Sequence, residues 1–221
     1  VLEIADSITV LSDGKSNLTL ENRDRQVTDR VLIKHMVGRS IDNVFPRREK
    51  IEPGEEVLRL ENWCAYSPAL GRDILKDINI SVRAGEIVGI AGLMGSGRTE
   101  LAKSIFGNPD HYRVSGSLRV KGEEQKFRNP GDAIQSHLAY VTEDRKGNGL
   151  ILIDDVRHNI TLANLKEIAE RGIINENEEI VIASDYKESL NIKTPSIEQK
   201  VRNLSGGNQQ KVSLGKWLFV K

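Results

Sequence analysis

The sequence predicts an α/β protein, and three observations carry that expectation. GEIVGIA at 85–91 is a nearly continuous apolar run that ends in a glycine-rich loop, and a helical pattern follows at 98–106. Such a run suits a strand buried on both faces of a mixed or parallel sheet, where neither side meets water. Leu58 and Leu60 flank Arg59, and Ile78, Ile80 and Val82 recur at the period of two that marks half-buried strands. Residues 154–196 and 212–219 carry helical patterns.

In chain order, residues 1–26 read as short strands around a turn. Ile8 to Leu11 is apolar and β-branched, Ser12-Asp13-Gly14 has turn chemistry, and residues 17–20 alternate polar with apolar. A short helix over 28–37 is stopped by Gly38. FPRREKIEPG at 45–54 is charged and bracketed by prolines, which is linker chemistry and places a boundary near residue 50. The helix at 98–106 ends at Gly107, and 131–141 reads as helix then strand, with LAYV at 138–141 as the strand. Asn175 to Glu178 resembles a capping box, and Ile182, Tyr186 and Leu190 recur at four-residue spacing. Lys193-Thr194-Pro195-Ser196 breaks that run.

Composition narrows the function classes. The 221 residues hold 32 basic and 32 acidic side chains, so no global field points to nucleic acid. No apolar run approaches the roughly 18 residues of a membrane span, and the start does not read as a secretory leader. Cys64, the single cysteine, excludes an internal disulfide framework and reads as a small buried hydrophobe. His35, His111, His137 and His158 are scattered without metal-ligand spacing and read as surface or structural groups.

GLMGSGRT at 92–99 follows the pattern of a phosphate-cradling loop except at Arg98, where that pattern has lysine. Gly92, Gly95 and Gly97 let the backbone turn sharply and bring N–H groups close to phosphate oxygens. The helix start adds its positive dipole end, and Thr99 offers a hydroxyl to Mg2+. Leu93, Met94, Ser96 and Glu100 complete the stretch that would wrap the nucleotide. Arg98 keeps the charge, but its planar fork is not a lysine point charge. The expectation is nucleotide binding with doubtful hydrolysis. A glycine-rich turn without a ligand is the bland alternative.

LSGGNQQK at 204–211 stands before a helix, with Ser205 where an N-cap belongs and Gly206 and Gly207 exposing backbone N–H groups. It has no base or nucleophile of its own, so it suits a lid that meets a γ-phosphate held by another domain.

With both motifs in view, the chain resembles the ATP-binding subunits of bacterial ABC monosaccharide importers, of the type with tandem nucleotide-binding domains for ribose, galactose, xylose or several sugars. Residues 4–15 are similar to the last strands of the first ATPase domain. Met36-Val37-Gly38-Arg39 resembles the stretch before the interdomain linker. Residues 92–99, Glu143-Asp144-Arg145-Lys146 and 204–211 resemble marks of the second domain.

The resemblance implies an α/β P-loop NTPase core of ABC ATPase type, with an antiparallel β region and an α-helical signature subdomain. It divides the chain into the end of a first ATPase domain at 1–45, a linker at 46–55 and a second domain at 56–221. Within the second, 56–145 is the core, 146–204 the helical subdomain and 205–221 the signature helix, truncated before the aspartate-bearing strand. No catalytic residue is expected in this stretch.

ATP and Mg2+ are the implied cofactors. Arg98 stands in for the loop lysine, Glu143 for the glutamine that touches Mg2+, and Tyr66 lies about where an aromatic stacks on adenine. Leu204, Ser205, Gly206, Gly207, Asn208 and Gln209 would serve ATP held by the paired ATPase domain. Glu143 and the region 154–196 would face the membrane permease, and a periplasmic or lipoprotein sugar-binding protein would act indirectly. The location implied is the cytoplasmic face of the cell membrane, reached through the permease. A nucleotide-binding regulatory module without turnover, or a non-transport ABC ATPase, are the competing readings. ATPase assays separate the first, and stimulation by permease and sugar-binding protein separates the second.

Overall fold

The structure is a computed structural model, and it describes residues 1–12, 14–37 and 52–220. The chain falls into two compact units, residues 1–51 and 52–221. The linker at 46–55 lies outside the described residues as far as Ile51, as do Asp13 in the first turn and the helix stop at Gly38.

In the first unit, β1 (Ser7–Ser12) and β2 (Lys15–Glu21) form an antiparallel hairpin, followed by α1 (Asp29–Val37). The Thr9 and Thr19 hydroxyls meet across the ladder at 3.0 Å. Asn22 is buried because its amide donates to the carbonyls of Leu2 and Ala5, holding the chain start against the hairpin.

The second unit opens with β3 (Glu56–Ser67) and β4 (Arg72–Arg83), the alternating segments anticipated from Leu58 and Ile78. After the glycine-rich loop come α2 (Arg98–Ile105), β5 (Arg113–Val120), β6 (Glu123–Glu124) and α3 (Pro130–Gln135). The four strands make an antiparallel sheet in the order β4-β3-β5-β6. Its inward side chains Leu60, Trp63, Ala65, Leu75, Leu118 and Val120 close over Leu101 of α2. Burying each large apolar side chain stabilises by about 1.5–3 kcal/mol. The Trp63 indole N–H donates to the Ser104 hydroxyl at 3.0 Å, so the one polar atom of that ring is satisfied inside the core.

A single π-helical turn, Arg145–Gly149, leads into the helical part, made of α4 (Val156–Thr161), the hairpin β7 (Ala169–Glu170) and β8 (Ile173–Ile174), α5 (Glu176–Ser189) and α6 (Gly206–Leu218). Asn175 caps α5 by accepting from the Glu178 N–H at 3.3 Å. Ile182, Tyr186 and Leu190 lie against a core of Val156, Ile160, Ala183, Val201, Leu204 and Val212. The β7–β8 hairpin interrupts the stretch read as helical. Arg171 and Gly172 both have positive φ, 52° and 83°, as a two-residue turn matched to strand twist requires.

Two strands expected from the sequence are also absent among the described residues. Residues 85–91 form no strand, and Ile87 and Ile90 are 76% and 51% exposed; residues 138–141 are likewise not a strand. A strand exists through its ladder, and among the described residues no segment pairs with either run. Apolar content signals readiness for burial but supplies no hydrogen-bonding partner.

Candidate functional site

The phosphate-loop candidate lies between the 85–91 segment and α2. Gly97 occupies the N-cap of α2 with φ 91°, a left-handed conformation, and the Leu101 N–H closes the first turn on its carbonyl at 2.8 Å. A Cβ at Gly97 would stand 3.0 Å from Leu75 and 3.2 Å from the Ile74 carbonyl, so glycine also permits the close seat on β4. No side chain caps α2, which leaves its first N–H groups available at the loop.

Met94, Gly95, Ser96, Gly97, Arg98, Thr99, Glu100 and Ala102 line an open cavity of about 470 Å3, and Tyr140 and Glu143 close its far side. The Thr99 hydroxyl donates to Glu143 Oε1 at 2.6 Å, joining positions 44 residues apart. Tyr140 and Thr142 donate to Glu143 Oε2 at 3.4 and 3.5 Å. These bonds, Thr99's first, hold the Glu143 carboxyl below the usual carboxylate range. Burial pushes the Tyr140 phenol up, so it remains a donor.

Arg98 is exposed and, among the described residues, has no ion-pair partner. At Gly95, with φ 81°, a Cβ would meet open space. An unpaired guanidinium, a hydroxyl, a carboxylate and an uncapped helix start form a donor set that fits a phosphate–cation pair. Tyr66 stands apart from this lining, half-buried in β3 with its ring 5.8 Å beneath the Arg113 guanidinium. Gly92 and Leu93 precede the lining, with Leu93 86% exposed.

The signature residues gather elsewhere. Ser205 is the N-cap of α6 by position, yet its hydroxyl accepts from the Asn208 side chain at 3.0 Å and caps no backbone N–H. Asn208 in turn accepts from the Lys193 N–H at 2.9 Å. Gln209 is 5% exposed, and its amide donates to the carbonyls of Val201 and Leu204. Gly206 and Gly207 are exposed, while Leu204 anchors the turn in the helical core. Sequence reasoning missed Tyr140, Thr142 and Arg145 as partners of these sites. Tyr140 sat in an apolar run, and nothing in its spacing pointed to Glu143.

Residues 75–221 match the ABC transporter family. Over 222 residues the chain is 48% identical to the L-arabinose transport ATP-binding protein AraG of Geobacillus stearothermophilus, all of this chain and 43% of that protein. It is 47% identical over 220 residues to the xylose import ATP-binding protein XylG of Thermoanaerobacter pseudethanolicus, 99% of this chain and 43% of that one. It is 45% identical over 222 residues to the ribose import ATP-binding protein RbsA 3 of Rubrobacter xylanophilus, of which it covers 42%. The chain thus spans less than half the length of these relatives.

Among solved structures, a nucleotide-free ATP-binding cassette of an ABC transporter superposes with a TM-score of 0.60 at 21% identity, over 75% of this chain and 66% of that one. A dimeric cassette in a post-hydrolysis state gives 0.58 at 21% identity, over 73% and 69%. The match over 75–221, with the shared cassette fold, places the chain in the ABC transporter family, with the α/β P-loop fold of its ATPases.

Proposed function

We propose that this chain belongs to the ATP-binding, energy-coupling subunit of an ABC importer of monosaccharides. It would supply the end of a first ATPase domain at 1–45, a linker at 46–55 and a second domain at 56–221. The observation that carries the reading is the single cavity into which the loop 94–100 and Glu143 converge. The arabinose, xylose and ribose import proteins matched along the whole chain support the transport role.

Residues 92–100 would hold the phosphates of ATP, with backbone N–H groups and Arg98 as donors, and Thr99 and Glu143 would hold Mg2+. Bound Mg2+ would offset phosphate charge during transfer. Arg98 in place of lysine, with a carboxylate at 143, favours binding over rapid turnover at this site. Ser205, Gly206 and Gly207 would face ATP of the paired domain, which carries most of the hydrolysis, with the buried Leu204 and Gln209 holding the turn from the core side. Tyr66 remains the candidate for adenine stacking through movement of the Arg113 guanidinium off its ring.

A second cavity of about 500 Å3, lined by Glu167, Glu178 and Asp185 around Ile182, Tyr186 and Phe219, supports docking of the permease on the helical part. No helix among the described residues is long and apolar enough to cross a membrane, and attachment to the cytoplasmic face would run through that permease, with the sugar-binding protein acting only indirectly.

Titration with a fluorescent ATP analogue and Mg2+ tests the site. Arg98→Ala is expected to weaken binding about tenfold, roughly 1.4 kcal/mol. An affinity within twofold of the parent would remove the loop from the binding site. In the full-length protein, ATPase activity stimulated by permease and sugar-binding protein tests the transport role, and its absence favours a binding module without turnover.

A further inference from the structure

The segment after Glu143 is fastened to the signature helix at two points. Asp144 starts the π-helical turn by accepting from the Gly147 N–H at 3.0 Å. At the head of that turn, Arg145 Nε donates to Gln209 Oε1 at 3.3 Å, across 64 residues of sequence. At its tail, the Lys216 ammonium donates to the Gly149 carbonyl. Gln209 passes the connection on, because its amide also holds the carbonyl of Leu204, the residue before Ser205. Upstream, Glu143 accepts from Thr99 at the phosphate loop.

We propose that Arg145 is a positioning residue that sets the signature turn, residues 204–207, from the segment that follows Glu143. The proposal rests on the contacts of Arg145 with Gln209 and Gly206 and not on the reading of 92–99 as a phosphate site. Arginine suits the position because its planar fork lets Nε reach Gln209 while Nη2 lies over Gly206. A Cβ at Gly206 would stand 2.9 Å from Nη2, so the guanidinium occupies space that any other residue would fill. Arg145 is outside the apolar core of the helical part. Its loss should therefore loosen the turn without melting α4 or α5.

Hydrogen exchange read by mass spectrometry on the full-length protein tests this. Without nucleotide, Arg145→Gln is expected to speed exchange of amides 204–211 at least fivefold, with 156–161 and 176–189 within twofold of the parent. Gly206→Ala should reproduce the effect by pushing the guanidinium away, and the double variant should be no worse than either single one. Exchange at 204–211 within twofold of the parent in both nucleotide-free single variants overturns the proposal, as does strict additivity in the double.

Discussion

Thr161→Val exposes how the helical part is held together. Glu179 of α5 is 2% exposed, and its shortest contact is the Thr161 hydroxyl of α4, which donates to Oε1 at 2.7 Å. Arg157 Nε lies 3.5 Å from the other carboxylate oxygen, with side-chain exposures of 17% for Arg157 and 3% for Glu179. A carboxylate this deep needs each of its partners, because no water replaces a lost donor. Valine keeps the shape of threonine and removes only the donor. A hydrogen bond to a charged group contributes about 1.5–3 kcal/mol, so that is the expected loss. For a chain of this size 1 kcal/mol corresponds to roughly 2–4 °C in Tm, so the variant should melt about 3–12 °C lower. Differential scanning calorimetry at neutral pH reads the shift. In a Glu179→Leu background the same substitution should cost less than half as much, since the group that needs the donor is gone. A Tm within 1 °C of the parent, or equal shifts in both backgrounds, would refute the argument.

Three further predictions follow from neighbouring features. Gly107→Ala places a Cβ 2.1 Å from the Asn129 carbonyl carbon at a φ of 72°, so over-packing and left-handed strain together should cost about 2–5 kcal/mol, and a Tm within 2 °C of the parent would contradict it. Burial holds the Lys216 ammonium below the usual lysine range. Between its folded and unfolded pKa values the unfolded chain binds more protons, so stability relative to Lys216→Met should rise as pH climbs toward about 10.4; parallel Tm curves for the two proteins from pH 7 to 10.5 would exclude it. Ile87 and Ile90 lie on an apolar stretch with Leu93 and Met94, which are 86% and 99% exposed, so Ile87→Thr with Ile90→Thr should reduce light scattering of this chain on concentration, and unchanged scattering would count against that surface as the adhesive one.

What the sequence made legible was local. The period-two patterns around Leu58 and Ile78 are the strands β3 and β4, and Gly107 ends α2 in a left-handed conformation, φ 72°, that glycine adopts without strain. Asn175 caps the helix it precedes because a cap needs only its own next three residues. The failures are all matters of pairing across distance. GEIVGIA has the composition of a buried strand, yet composition says nothing of which backbone completes its ladder. The β7–β8 hairpin was hidden inside a helical pattern, although Arg171-Gly172 next to Ile173-Ile174 was a turn signal available to be read. At the candidate site, Thr99 and Glu143 came together through resemblance to a known family rather than through spacing. Arg145 stood within a stretch that carries the resemblance, but its partner Gln209 and the Tyr140–Glu143 contact were not legible, because tertiary packing sets them.

The second unit divides by how its elements are completed. The signature turn stands on a core formed within 150–212, with Val156, Ile160, Val201 and Val212 fully buried, and its polar residues Asn208 and Gln209 find partners in the same stretch. The phosphate loop leans on Leu75 and Leu101 behind Gly97, but the segment leading into it remains exposed through Ile87 and Ile90. Backbone geometry at 92–96 is therefore set less firmly than at 204–208, since a loop inherits its shape from the elements at its ends. A strand laid beside 85–91 would fix the start of the loop, and α2 already fixes its end. On the proposed reading of 92–99, the affinity of Arg98 and Thr99 for phosphate should depend on that strand far more than on any single substitution within the signature.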